Sequence, residues 1–164
     1  MRKLWKTGVV LVLLFAAQSA AAQSTSIKLQ GAGYDASLPV EVTADTLTVD
    51  QASSAAAFEG NAKVTQGGLL LTADSIHIAY QPDGAGVSEV EATGGVHFSN
   101  GAEMAEAERA LYRVGAGEIS LSGSVLLLQG RTTISGDALD LDLNSGSGTM
   151  RGNVKTVFTP ATGK

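Results

Sequence analysis

Cysteine is absent from this 164-residue sequence. That absence excludes disulfide bracing, thiol chemistry and cysteine-based metal sites, so the fold must hold by strand pairing and burial. Basic residues are scarce as well, with eleven Lys plus Arg against sixteen Asp plus Glu. Three of the eleven, Arg2, Lys3 and Lys6, precede an apolar run from Gly8 to Ala17 and a small-residue stretch ending in Ala20-Ala21-Ala22. A charged start, a short apolar run and an A-x-A site have the form of a secretory leader cleaved after Ala22. The run is shorter than the roughly 20 residues of a membrane span, and an uncleaved anchor is the alternative. No second apolar run of that kind follows, so residues 1–22 are expected to be removed and the rest to be exported and soluble. The remaining chain carries eight basic residues against sixteen acidic. That balance excludes nucleic acid as a partner and argues against adhesion to a bare anionic membrane. Aromatic residues are few. Beyond the leader they are Tyr34, Phe58, Tyr80, Phe98, Tyr112 and Phe158.

What the chain does have is alternation. Between Phe58 and Tyr80, two strand-like runs are joined by Gly67-Gly68. Phe58, Ala62 and Val64 share one parity, as do Leu69, Leu71 and Ala73. After Asp74 the parity flips to Ile76, Ile78 and Tyr80. Period-two alternation puts one set of side chains on one face of a pleated strand. A flip requires an extra residue, and it predicts a bulge or corner at Asp74-Ser75.

The same unit recurs. Asp45, Asp74, Glu108 and Asp137 are spaced by 29, 34 and 29 residues. A small pair recurs with them, at Gly60-Asn61, Gly94-Gly95, Gly123-Ser124 and Gly152-Asn153, and each of the first three pairs precedes the next acid by 14 residues. A five-residue insertion within residues 81–88 accounts for the one longer interval. Two independent distances agreeing over four copies establish a repeat of about 29 residues. One residue before each acid stand Ala44, Ala73, Ala107 and Gly136, and two after stand Leu47, Ile76, Ala110 and Leu139. The segment 102–111 is rich in helix formers, but its register in the repeat predicts strand.

Four copies with one apolar face per strand predict an elongated all-β domain over residues 38–158, preceded by a flexible segment at 23–37 and followed by a short tail at 159–164. The architecture is either a coiled solenoid or a rolled, jelly-roll-like antiparallel stack. Gly67-Gly68 and the run at 144–148 favour antiparallel hairpins. Many inward positions are small. Either the sheets collapse onto one another, or the interior holds a guest such as a flexible acyl chain.

The run from Leu38 to Tyr80 resembles the N-terminal signature of the LptA/OstA-like lipopolysaccharide-transport family. The resemblance rests on Pro39 with Val40 and Val42, on Ala44-Asp45, on Phe58, Gly60-Asn61, Val64 and Gln66-Gly67, and on Ala73-Asp74. The later copies are looser but stay in register, to about Phe158. The resemblance implies a half-open, twisted β-jelly roll in the periplasm, with no cofactor and no enzymatic activity. Its groove would carry the acyl chains of lipopolysaccharide between an inner-membrane anchored partner and an outer-membrane barrel partner. Edge strands would join the chain to both partners and to further copies of itself, end to end. The residues expected to line the groove are Val40, Val42, Leu47, Phe58, Val64, Leu71, Ile76, Ile78, Val96, Phe98, Tyr112 and Leu127.

Other readings compete. The four acids could bind Ca²⁺, but the nine-residue repeat of Ca²⁺-binding β-rolls is missing, and acceptance of backbone N–H bonds at the bulges is the simpler role. His77 and His97 are two lone outward histidines and make no metal site. Ser120, Ser122 and Ser124 lack a histidine and an acid at motif spacing. Asp140 and Asp142 belong to a solvated strand face. Leu126 and Leu128 are apolar with outward parity, marking either a contact surface or a second buried layer. Two alternatives to a lipid conduit stand: a dry structural or adhesive β-solenoid, and a secreted carbohydrate-active enzyme.

Overall fold

The computed structural model describes residues 24–30 and 33–161. The expected leader and its cleavage site lie outside them. Among the described residues, eleven strands follow one another: β1 (Ser24–Lys28), β2 (Glu41–Thr43), β3 (Thr46–Asp50), β4 (Ala55–Gln66), β5 (Leu69–Tyr80), β6 (Val87–Ser99), β7 (Glu103–Arg113), β8 (Glu118–Gln129), β9 (Thr132–Asp142), β10 (Ser147–Arg151) and β11 (Lys155–Phe158). All pairings are antiparallel. They form one sheet in the order β1-β10-β9-β8-β7-β6-β5-β4-β2, with β3 also on β4 and β11 also on β9. This is an open all-β jelly roll and not a coiled solenoid. Residues 103–113 are strand, so tertiary pairing overrides the helical propensity of that segment.

The long strands are creased at their middles. Between β4 and β5, Glu59 pairs with Ser75 and Ala62 with Ala73, so Gly60 and Asn61 together oppose Asp74 alone. The same two-against-one count recurs between β6 and β7 and between β8 and β9. The extra residue of each bulge therefore lies on the glycine strand, opposite the acid at which the sequence places it. Both members of each pair take positive φ: Gly60 and Asn61 at 77° and 46°, Gly94 and Gly95 at 81° and 53°, Gly123 and Ser124 at 84° and 49°, Gly152 and Asn153 at 72° and 50°. Two successive left-handed residues turn the chain sharply, a conformation glycine tolerates best.

The acid of the preceding copy fills the space this leaves. A Cβ added at Gly60 would stand 2.6 Å from Asp45 Oδ2, and one at Gly94 2.5 Å from Asp74 Oδ2. Glu108 occupies the matching place at Gly123, and Asp137 at Gly152. Backbone hydrogen bonds fix the approach, from the Asp45 N–H to the Gly60 carbonyl and from the Asp137 N–H to the Gly152 carbonyl, each 2.9 Å. The carboxylates themselves accept side-chain amides: Asn61 Nδ2 donates to Asp45 (2.8 Å) and Asn153 Nδ2 to Asp137 (2.9 Å). At these two corners the bond comes from an asparagine side chain, where a backbone N–H was expected.

The creases divide the sheet into two leaves that fold together like a V. One leaf holds β3, the 55–59 half of β4, the matching halves of β5 to β9, then β10 and β1. The other holds β2, the remaining halves and β11. The five-residue insertion lies in the connection after Tyr80, outside the strands. Residues 24–28, expected to be flexible, pair as β1 with β10 and bury Ile27 to 4%.

The crease predicts a specific coupling. Gly152→Ala is expected to cost about 1–3 kcal/mol of stability, from strained backbone and from collision with Asp137. Adding Asp137→Ala should recover part of that loss, so a urea-denaturation double-mutant cycle gives non-additive values. Strict additivity would show that the carboxylate does not constrain the glycine.

Candidate functional site

The inner faces of the two leaves form one apolar core that runs from strand to strand across the molecule. On the first leaf, the register aligns Val49, Ala56, Ile78, Val90, Tyr112, Ile119 and Leu141 in one row. Facing it on the second leaf is the row Val42, Val64, Leu71, Phe98, Ala105, Leu127 and Ile134. On the second leaf the row next to the fold line is small, with Ala62, Ala73, Val96, Ala107 and Gly136, whereas on the first leaf it holds Phe58, Ile76, Ala92, Ala110, Leu121, Leu139 and Met150. A Cβ on Gly136 would meet Met150 at 2.7 Å, so small residues of one leaf make room for larger ones of the other.

Of the residues expected to line a groove, Val64, Leu71, Ile76, Ile78, Val96, Phe98, Tyr112 and Leu127 are all 2% exposed or less. Val40, Val42 and Phe58 are half-buried against this core. Leu47 differs, at 55% exposure. It lies in register with Phe58 and Ile76, but β3 is an edge strand and has no further strand beside it. Val49 beside it is 60% exposed, and at the opposite end of the sheet Phe158 is 74% and Val157 46% exposed. The first-leaf row is therefore uncovered at β3, whereas at its other end it runs through Gly148 to Ile27, 4% exposed; the exposed Phe158 and Val157 lie on the second leaf's edge strand β11.

The outward face is polar, with exposed pairs such as His97 with Glu106 at 3.6 Å and Arg113 with Glu118 at 3.5 Å. Such pairs contribute little stability. Asp140 accepts from Ser120 Oγ at 2.9 Å and pairs with Arg151. Asp142 accepts backbone N–H bonds from Ser145 and Asn144, which hold its carboxyl below the usual range. Leu126 and Leu128 are half-buried on this face, and Leu128 pairs with Met104, which is 58% exposed.

Sequence reasoning missed the mouth of the V. The lip of the second leaf carries a polar set with no counterpart deeper in: Gln66, Asn100 and Glu103 are 4%, 9% and 0% exposed. Glu103 accepts the Gln30 N–H at 2.6 Å and Gln129 Nε2 at 3.0 Å. Gln66 donates to the Leu38 carbonyl at 2.8 Å and accepts from the Tyr112 hydroxyl. Tyr112 belongs to the first leaf, so this bond ties the leaves together across the opening. Burial, aided by the Tyr34 hydroxyl, pushes the Tyr112 phenol well above its ordinary pKa, so it remains a neutral donor. The only legible signal was a glutamate and two glutamines falling where the inward parity calls for apolar residues.

A family model described as LptA/(LptD N-terminal domain) LPS transport protein matches residues 41–156. An uncharacterized protein, R00383, of Rhizobium meliloti (strain 1021) is 30% identical over 138 residues, covering 79% of this chain and 74% of that protein. Among solved structures, LptH from Pseudomonas aeruginosa, described as the LptA-homologous periplasmic component of the lipopolysaccharide transport device, is similar in fold. Its TM-score is 0.69 at 19% identity, covering 77% of this chain and 99% of that one.

Position in the sheet separates the core residues from the end residues energetically. Phe98→Ala should cost about 3–5 kcal/mol through the cavity it leaves. Leu47→Ala should stay within about 0.5 kcal/mol in dilute protein, as an exposed site does. Urea midpoints measure both, and equal losses would refute the assignment of Leu47 to an uncovered end.

Proposed function

Because the chain belongs to the LptA/(LptD N-terminal domain) family of LPS transport proteins, which is not a family of enzymes, we propose that it is a periplasmic bridge. On this reading it holds lipopolysaccharide acyl chains between its two leaves and passes them from an inner-membrane partner to an outer-membrane partner. The supporting observation is the apolar core between the two leaves, exposed at the β3 edge through Leu47 and Val49, with the exposed Phe158 on β11 at the other end of the sheet. Shielding ten methylenes from water is worth about 8 kcal/mol at roughly 0.8 kcal/mol each. A lipid therefore needs a continuous cover to cross an aqueous gap. Nonpolar rows supply cover without the directed polar bonds that would hold the lipid at one position.

The ends also support association. Four of the seven large apolar side chains exposed among the described residues, Leu47, Val49, Val157 and Phe158, lie on β3 and β11. These strands leave one row of backbone N–H and C=O groups unpaired, a surface suited to adding another strand. Their charges are complementary. β2 and β3 carry Glu41 and Asp50, whereas β1 and β11 carry Lys28 and Lys155. Opposite signs at opposite ends favour head-to-tail joining, which leaves a free end for the next copy or a partner.

Two experiments test this reading. A photoreactive benzoylphenylalanine at Phe98, in protein expressed in its native envelope, should yield a lipopolysaccharide adduct. Silence there and at Val42 would favour the dry structural fold. For the ends, light scattering should show concentration-dependent association that Glu41→Lys with Asp50→Lys weakens about tenfold or more. Mixing that variant with Lys28→Glu, Lys155→Glu protein should restore it. A chain that stays monomeric at high concentration, alone and with its partners, refutes end-to-end joining.

A further inference from the structure

We propose that residues 33–39 are a gate over the mouth of the groove, latched by Tyr34, Tyr112 and Gln66, which lipid must displace to enter. This rests on the lipid-conduit reading and assigns its point of control. The topology imposes the placement. β1 pairs with β10 at one end of the sheet, and β2 pairs with β4 at the other. The described part of the chain between them, residues 33–39, lies across the open side of the V, in contact with both leaves.

The contacts of this segment alternate between the two lips. Leu29 N–H donates to the Gly146 carbonyl (2.8 Å), and Gln30 N–H to Glu103 of the facing leaf (2.6 Å). The Tyr34 hydroxyl donates to the Val114 carbonyl on the first leaf, and its oxygen lies 2.9 Å from the Tyr112 hydroxyl, whose one proton is shared between Tyr34 and Gln66. The Leu38 and Ala36 carbonyls accept from Gln66 of the second leaf, at 2.8 and 3.4 Å. Asp35 closes a local turn, accepting from the Ser37 N–H (2.9 Å) and hydroxyl (2.6 Å), so the segment is shaped as a unit. Between it and the lips lies a cavity of about 280 Å³ bordered by Tyr34, Leu38, Leu69 and Asn144.

What holds this segment differs from what holds the sheet. Gly33, Asp35, Ala36, Ser37, Leu38 and Pro39 are all exposed, and Tyr34 is half-buried. The gate is fastened by hydrogen bonds to side chains and buries little apolar surface. Segments of that kind open at a small fraction of the global unfolding free energy. Both ends are tied into the sheet, so opening lifts the middle of the span and leaves β1 and β2 in place. Beneath it are core residues 2% exposed or less, Tyr112, Leu71 and Phe98 among them. A cargo limited to the uncovered ends would need no such latch. The Tyr112–Gln66 bond would also break as the leaves part, so gate and leaves are coupled through one phenol.

The test uses purified lipopolysaccharide and the benzoylphenylalanine probe at Phe98, and it measures adduct formation over time. Tyr34→Phe removes the latch hydroxyl and should raise both amide hydrogen exchange at residues 33–38 and the loading rate, by about five-fold for a single lost hydrogen bond. Tyr34→Cys with Ala116→Cys supplies the chain's only thiols, one on the gate and one on the first lip. Untethered, this protein should load faster than the wild type; joined by a short bismaleimide, it should load at least tenfold more slowly. Equal loading with and without the tether, or no acceleration by Tyr34→Phe, overturns the gate and leaves the conduit standing. Absence of any adduct in the wild type overturns the conduit itself, and the gate with it.

Discussion

The structure depends on a contact a few ångströms across, repeated four times: a carboxylate seated where a glycine has no side chain. At Gly60, Gly94, Gly123 and Gly152 the backbone turns through two left-handed residues, and the acid of the neighbouring strand occupies the space a Cβ would need. Glycine removes the steric penalty of the turn. The acid, through its backbone N–H and at two corners an asparagine amide, fixes how closely the strands approach. Alignment of these corners creases one continuous sheet along a line. Without the crease, eleven strands would expose a flat apolar face to water; with it, the two halves bury each other.

Creasing a sheet has a consequence that closing it into a barrel does not. A barrel removes its edges, whereas a creased sheet keeps them, two strands at each end. Leu47 and Val49 are built on the same inward register as Ile76 and Ile78, yet they remain half or more exposed because the stack ends there. At that edge the exposed apolar residues are the core rows, continued past the last covering strand. A second copy placed end to end would continue the rows, and the opposed charges of the two ends favour that orientation over its reverse.

Much of this was legible in the sequence because it is periodic. The parity of Leu69, Leu71 and Ala73 against Ile76 and Ile78 reports a crease, and its recurrence at a fixed interval reports a stack. The alanines and glycine preceding each acid look like a weak core in sequence, yet at Gly136 the missing side chain is what makes room for Met150 of the first leaf. Two things were not legible. The extra residue at each crease sits on the glycine strand, and parity on the acid strand cannot say which partner carries it. Residues 23–37 fall before the repeat and are expected from the sequence to be flexible. Their partners are remote: Tyr34 meets Val114, and Gln30 meets Glu103. Contacts across more than seventy residues leave no local period, and only buried polar residues at inward positions, Glu103 above all, hinted that something covered them.

The repeat also bears on how a cargo would move under the proposed function. Successive strands lie about 4.8 Å apart, so a chain advancing along the inner rows meets an apolar side chain at each strand, from Ala56 and Ala105 up to Phe98 and Tyr112. This places a demand on the insertion at residues 81–86, the one departure from the 29-residue period. It lies in a connection on the rim, and Ile78 and Val90 on either side still pair in register. The chain thus varies where a loop faces solvent and keeps its spacing where the rows must match. Apolar rows exposed at the β3 edge and a hydrogen-bonded cover along the side are features that the proposed passage between the leaves would use.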